Sequence, residues 1–487
     1  MASLKSQVFS LSLAQGVLVL VGVVSGMVFS RVLTVADYGT YLQTFLAYNF
    51  AVPLLTLGMP SALYFFLPGA KERQKGLVLD NLLLLLIAGM IFSLFLLLGG
   101  TELLAERFNN PDLENTLRWM VFYPLYTFPV LIGAAVWVTK GKVKLNAIFN
   151  VVKGFILTGS LILAALFTKS YEAPTIVRII LPLLFLPFTL YLIFKHVPGK
   201  WYKPSLSNMW SMTKFAVPLG LASVLGTLTI QMASIIVSMM TSVEEFAIYA
   251  NGAKEVPIVG IVTGSISVVI MADMAKNVKQ GNLKKALEIF RKSAVMSALF
   301  LIPVMVFLMI YAETFIKLLY SSKYIESVIP FRIYLFMLPV RIVYYGAAFV
   351  ALGKTKTILY RSFIELLLTV LLAYFFTLWL SYIGAAIATV LMYYIFAIPY
   401  NLTFLGKNFN CKPSYIIPFK KIGFISLLSL GAGSISILPL LFLKNNLLAF
   451  ILGGILFCLT YYLVSNRYIS EFKEIAKPII NKLPWIK

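Results

Sequence analysis

Long apolar runs alternate with short polar interruptions along the whole of this 487-residue chain. A bilayer core of roughly 30 Å takes about 20 apolar residues of helix. Runs of that length predict about fourteen membrane spans, near 8–33, 41–66, 78–99, 117–138, 145–167, 175–195, 213–240, 253–274, 293–319, 328–352, 357–380, 383–405, 420–443 and 447–465. The predicted fold class is an all-α polytopic membrane protein. The shortest link, around Ser381 to Gly384, divides spans eleven and twelve. The stretch from Ser30 to Tyr41 closes the first apolar run with Arg31, an Asp37-Tyr38-Gly39 turn and an immediate apolar restart, which predicts a hairpin between two membrane helices.

That stretch has an echo. Glu245, Phe246 and Tyr249 stand 208 positions after Asp37, Tyr38 and Tyr41. Gly141-Lys142-Val143-Lys144 likewise returns as Gly353-Lys354-Thr355-Lys356 at an offset of 212. Two matches at nearly one offset, each at a helix junction, predict an internal duplication running in the same direction. The expected organisation is a six-helix lobe at 1–208, a second at 209–410, and an appendix of two helices and a tail at 411–487.

Composition agrees with a membrane protein: 60% hydrophobic and only 12% charged residues lie far from a soluble domain. The net charge of +23 suggests nucleic acid until the basic residues are located. They fall in alternate loops: Lys71, Arg73 and Lys75; Lys140, Lys142 and Lys144; Lys195, Lys200 and Lys203; Lys276 to Lys292; Lys354 and Lys356; Lys407 and Lys412; and the tail. The opposite loops carry Glu102, Glu106, Asp112, Glu114, Glu172, Glu244 and Glu245. The positive-inside rule then puts both termini in the cytoplasm and sets nucleic acid aside as a partner. The run from Val8 to about Leu33 is too long for a signal-peptide core and is expected to remain as the first span. The sequence has one histidine, His196, and two cysteines, Cys411 and Cys458, so zinc sites, disulfide frameworks and histidine catalysis are not expected, and neither is a cofactor. Between Met274 and Ser293, Leu283, Ala286, Leu287 and Phe290 share a helical face with Lys284, Lys285, Arg291 and Lys292 elsewhere, which predicts an amphipathic helix on the inner leaflet.

Polar side chains inside spans are costly and mark function. In span seven Ser223, Thr227, Gln231, Ser234, Ser238 and Thr241 fall on one helical face. They either line a watery cavity or bond back to their own helix and its neighbours. Span five carries Asn146, Asn150 and Lys153, and the position 212 after Lys153 is Glu365, one turn from Arg361. Opposite charges at equivalent positions make Glu365 a candidate partner for Lys153 or a coupling group. Arg341 lies near the middle of span ten and needs an anion or water. Arg31, Arg118, Arg178 and Arg332 lie nearer the outer ends, where a headgroup or a substrate is an equal expectation. More cations than acids suits an anion, and arginine suits phosphate through its fork of donors. The substrate-binding candidates are therefore Arg341, Lys153, Arg31, Asn150, Gln231, Ser234, Arg118 and Arg332. Pro53, Pro60, Pro303, Pro339 and Pro399 predict kinks, and Tyr41, Thr44 and Tyr48 share a face that suits either sugar stacking or the membrane interface.

These residues resemble the Wzx-type oligosaccharide flippases of the multidrug, oligosaccharidyl-lipid and polysaccharide exporter superfamily, over nearly the whole chain. The resemblance is carried by Arg31-Val32-Leu33, Asp37-Tyr38-Gly39-Thr40-Tyr41, Leu57-Gly58-Met59-Pro60-Ser61-Ala62-Leu63, the two Gly-Lys pairs, and Tyr320 with Tyr324. It implies a V-shaped pair of six-helix lobes around a central cavity. It also implies transfer of an undecaprenyl-diphosphate-linked oligosaccharide repeat unit from the inner to the outer leaflet of a bacterial inner membrane. The polysaccharide polymerase machinery would be a further partner. The multidrug branch uses an acid in helix one that this chain lacks. A flippase of lipid-linked peptidoglycan precursor fits the cationic spans as well. A membrane polymerase or ligase of the same pathway would be expected to show a large outer loop, and a glycosyltransferase a carboxylate pair on a soluble domain; neither feature is present, so no enzyme is expected.

Overall fold

The computed structural model describes residues 4–256, 259–260, 263 and 273–473. The fold is 87% helix, with no strand among the described residues. Nine helices there are long and apolar enough to cross a membrane, and eleven if two bent pairs each count as one span. The 53-residue stretch Lys356–Asn408 is long enough for two crossings and breaks at Leu380 and Ser381, where Ser381 takes φ 50°. That is the short link expected between spans eleven and twelve. Most of predicted span eight lies outside the described residues.

The chain divides into two compact units, Met1–Ala250 with Thr369–Ala385, and Asn251–Leu368 with Ala386–Lys487. The boundary between them lies at residue 250, whereas the expected lobes meet at 208. The Leu206–Met240 helix packs against Val35–Thr56 and Met59–Gly69 of the first unit. Its N-terminus is held there by the buried Asp80, whose carboxylate accepts from the Ser205 backbone N–H at 2.9 Å and the Asn208 amide at 3.1 Å. An acid at that end also complements the helix dipole.

The two sequence echoes are helix caps. Thr34 caps the Val35–Thr56 helix by accepting the Asp37 N–H at 3.0 Å. Ser242 caps Val243–Gly252 in the same way at 3.1 Å, and Glu245 returns the bond to the Ser242 N–H at 3.2 Å, closing a capping box. Asp37, Tyr38 and Gly39 therefore stand in the first helical turn, and the expected Asp-Tyr-Gly turn is corrected to a break at Leu33 and Thr34. The aromatics of both copies, Tyr38, Tyr41, Phe246 and Tyr249, are buried.

The second echo is a Schellman C-cap. Gly141, at φ +68°, donates to Val138 and Lys142 to Trp137; Gly353, at φ +70°, donates to Val350 and Lys354 to Phe349. These are the paired bonds that orphan carbonyls at a helix end require, and the left-handed position favours glycine. Trp137 and Phe349, 212 apart, are both fully buried.

Span two bends by 41° between Val35–Thr56 and Met59–Gly69, with the break at Leu57 and Gly58 (φ 43° and 72°). The kink expected from Pro53 and Pro60 is thus placed between them. A Cβ on Gly58 would sit 2.8 Å from the Gly220 Cα, so two glycines let these backbones cross. The amphipathic surface helix expected before Ser293 is also corrected. Leu283–Ile310 is one continuous helix, and Ala286, Leu287 and Phe290 are buried in the protein instead of lying on a leaflet.

Candidate functional site

In the second unit the backbone is irregular where the charges gather. Helix Met337–Arg341 stops, three residues pass outside regular helix, and Tyr345–Ala351 resumes. Farther on, a wide π-turn at Tyr393–Ala397 interrupts the path into Ile398–Asn408. Such turns recur at functional sites because they re-aim side chains and free backbone groups. Between these elements lies a cavity of about 230 Å³ lined by Arg341, Tyr344, Arg361, Glu365, Tyr393 and Asn401 among others.

Each arginine there has an acid. Arg341 donates from Nε to Glu255 Oε1 at 3.0 Å and from Nη2 to the same oxygen, and its guanidinium lies 5.2 Å from the Tyr393 ring. Arg361 Nε is 3.1 Å from Glu365 Oε1, while Nη1 donates to Asn401 Oδ1 at 3.1 Å. The Nε–H makes no hydrogen bond among the described residues, so the Arg361–Glu365 attraction is Coulombic more than directional. An isolated arginine inside a membrane costs about 3 kcal/mol on insertion scales. Pairing lowers that cost, and a phosphate that reaches the cavity competes with carboxylates that already neutralise the cations. The Arg341 side chain is 30% exposed and that of Arg361 17%, so Arg341 is the more accessible donor.

The structure brings Arg341 and Glu365 to one cavity, and joins them with Arg361. Glu365 takes Arg361, on its own helix, as its ion-pair partner. Glu255, Tyr393 and Asn401 did not stand out in the sequence. Glu255 follows a lysine at the mouth of a predicted span, and only its contact with Arg341, 86 residues away, reveals it.

The first unit holds the other candidates. Lys153 is half-buried on Val143–Thr168 with no ion pair among the described residues, and Asn150 donates to Asn146 at 2.9 Å. Arg31 is exposed and donates to the Met27 carbonyl at 2.7 Å. Arg118, 59% exposed, pairs with Glu114 and lies 3.7 Å from Glu102; surface pairs of this type contribute little. Arg332, in the second unit, is exposed.

The span-seven stripe is split. Gln231 and Ser234 are half-buried, while Ser238 is fully buried and accepts from Gln43 at 2.9 Å, and Thr241 bonds back to Val237. Gln43 in turn accepts from Asn110, which also donates to Thr40. The C-terminal end of the stripe therefore bonds to a neighbouring helix and to its own backbone; the side chain of Ser223 is outside the described residues. Tyr41 and Thr44 are buried, and Tyr48 donates to Thr127 at 2.7 Å. These side chains face protein, which corrects both readings of that face. Tyr41 and Phe45 hold Arg178, whose guanidinium lies 3.7 Å from the Phe45 ring centroid and 5.5 Å from that of Tyr41, donating to the Tyr41 hydroxyl at 2.8 Å.

A multi-pass helical protein with broken spans around a charged cavity belongs to the class of membrane transporters and flippases. Comparison with solved structures agrees on the fold. The chain is similar to the lipid II flippase MurJ in an inward closed conformation (TM-score 0.75, 19% identity, 96% of this chain and 99% of that one). It is also similar to an inward-facing multidrug resistance MATE family transporter of the MOP superfamily (0.63, 16%, 79% and 93%). A third likeness is to a MOP superfamily transporter from Pyrococcus furiosus (0.57, 14%, 83% and 96%). No curated protein matches the sequence. Residues 28–329 match the polysaccharide biosynthesis protein family, and the chain belongs to that family.

Proposed function

We propose that this protein is a flippase that carries an undecaprenyl-diphosphate-linked oligosaccharide repeat unit from the inner to the outer leaflet of a bacterial inner membrane, for surface polysaccharide biosynthesis. The family match carries this reading, and the arginine-lined cavity supplies donors suited to a diphosphate. Both termini face the cytoplasm, and the polymerase machinery receives the product. Two six-helix lobes, 1–208 and 209–410, rock in alternating access, with Gln231 and Ser234 reached by water during the cycle. Arg341 and Lys153 hold the diphosphate, Glu365 is a coupling group, and the substrate leaves chemically unchanged, so the protein is not an enzyme.

The membrane potential assists. Moving charge across it is worth roughly 2.3 kcal/mol per unit charge per 100 mV, and an inside-negative membrane drives a dianionic headgroup outward. The headgroup still has to leave water, at several kcal/mol or more per unpaired charge. Fixed cations lower that barrier and are drawn back after release, which resets the carrier.

A second substrate, lipid-linked peptidoglycan precursor, is favoured by the likeness to the lipid II flippase over nearly the full length of both chains. Vesicles containing the purified protein and either labelled lipid decide between them. Export of the oligosaccharide lipid, lost in Arg341→Ala and Lys153→Ala at normal insertion, is the expected outcome. Equal rates in wild type and both variants would remove the charge assignment, and export of the precursor alone would replace the substrate.

A further inference from the structure

A second cleft in the second unit lies outside that cavity. Its volume is about 320 Å³, and it is lined by Glu288, Arg291, Lys292, Lys421, Ser470 and Glu471, together with Val295 and Pro418. Three helices meet there: the second to fourth turns of Leu283–Ile310, the start of Phe419–Ser436 and the exit from Asn446–Tyr468.

Three cations and two carboxylates face this cleft. Lys421 is paired with Glu471, to which Ser470 donates at 3.0 Å, and Glu288 is exposed. Arg291 is the distinctive member. Its guanidinium lies 4.0 Å from the Tyr415 ring centroid, and its Nη1 is buried without a hydrogen-bond acceptor among the described residues. Leaving a charged N–H buried and unmatched is unfavourable, so an anionic oxygen brought by a ligand would be stabilised there. The neighbouring helix Phe419–Ser436 also begins with two lysines, Lys420 and Lys421. Cations at a helix N-terminus oppose the dipole, and an anion there relieves both charges.

The surroundings identify the source of that anion. Tyr415, Phe419 and Tyr468 are exposed at the same helix ends, as aromatic side chains are at a membrane interface. The spans that begin or end there, Phe419–Phe442 and Asn446–Tyr468, present Leu427, Leu430, Ile455 and Leu459 outward. The cleft thus opens where a lipid headgroup sits beside its acyl chains.

We infer that this cleft binds the phosphate of an anionic phospholipid headgroup, with Arg291 supplying the deep donor and Lys421 the outer one. The lipid acts as a bound structural partner at the helix ends and is separate from the cargo of the proposed flippase.

Thermal melting of the purified full-length protein in neutral detergent tests this, with phosphatidylglycerol, phosphatidylcholine or sodium phosphate added. Phosphatidylglycerol should raise the midpoint saturably, phosphatidylcholine should not, and phosphate should act only at far higher concentration. Arg291→Gln should weaken the phosphatidylglycerol response about tenfold, the worth of one charge-assisted hydrogen bond, and Lys421→Gln less. If Arg291→Gln lowers the lipid-free midpoint severely, the exposed Lys421→Gln decides alone. Unchanged lipid affinity in the decisive variant overturns the site, and equal potency of free phosphate overturns the lipid. Arg341→Ala should keep the full response, so failure of the transport reading leaves this result standing.

Discussion

Two half-buried arginines, one in each unit, have opposite surroundings. Arg178 in the first unit is held by aromatic faces and a tyrosine hydroxyl, with no acid paired to it among the described residues. Arg341 in the second pairs with the Glu255 carboxylate, lies against the Tyr393 ring and lines a cavity. A cation over ring faces is stabilised in place by the ring quadrupole and has no partner to exchange. A cation against a carboxylate can exchange one anion for another. The first arrangement suits structure and the second suits binding. The scaffold repeats, as its paired caps show, but the charges do not: the position 212 after Phe149 is Arg361, and the one after Lys153 is Glu365.

The largest effect that separates the two arginines is on transport. Arg341→Ala should abolish export at normal expression, with Arg341→Lys keeping part of it. Arg178→Ala should instead cost about 3 kcal/mol of stability, from the lost cation–π contact and charged hydrogen bond, seen as a lower melting midpoint. Export that survives in Arg341→Ala and disappears in a well-folded Arg178→Ala would reverse the assignment.

Next in size is Glu255→Gln. Removing the competing carboxylate should tighten binding of a diphosphate lipid by about tenfold, the scale of one charged pair, while slowing its release. Binding and turnover measured together check this, because a purely structural Glu255 would lower both.

The repeated Schellman caps allow a test of the scaffold alone. Gly141→Ala and Gly353→Ala each force a Cβ into left-handed backbone, so each should destabilise by about 1 kcal/mol. Similar values support structural equivalence, and melting of the two variants side by side measures them.

The smallest effect is one of pH at the second cleft. Burial opposes ionisation of Glu471, but hydrogen bonds from Lys421, the backbone and Ser470 outweigh it and hold its pKa below the ordinary carboxylate value of 4.5. A depressed carboxyl pKa stabilises the fold above the unfolded value and loses that contribution as pH falls below it through the folded one. Lys421 is 58% exposed, so screening limits the change to well under about 1 kcal/mol. Melting across that acid range should show a small loss that Glu471→Gln removes.

Much of the scaffold was legible because its signals are local. Apolar runs of bilayer length define spans without reference to neighbours, and a cap is written within six residues, as Thr34 with Asp37 and Gly141 with Lys142 show. The one-turn spacing of Arg361 and Glu365 was legible for the same reason, although the sequence offered Lys153 as the partner of Glu365 and the structure pairs it with Arg361. Periodicity was less sufficient in the span-seven stripe, since Ser238 and Ser234 obey one spacing and only packing tells the buried one from the half-buried one.

The sequence by itself determined the membrane class, the repeated helix junctions, the short link at Ser381 and the residues from which an anion site can be drawn. Tertiary structure alone decided that Arg341 meets Glu255, that Arg178 is boxed by Tyr41 and Phe45, and that Arg291 lines a cleft beside Lys421. Spacing along a helix fixes which side chains share a face, but what that face meets depends on helices contributed by distant parts of the chain. For a charge inside a membrane, that neighbour decides between a fixed brace and an exchangeable site.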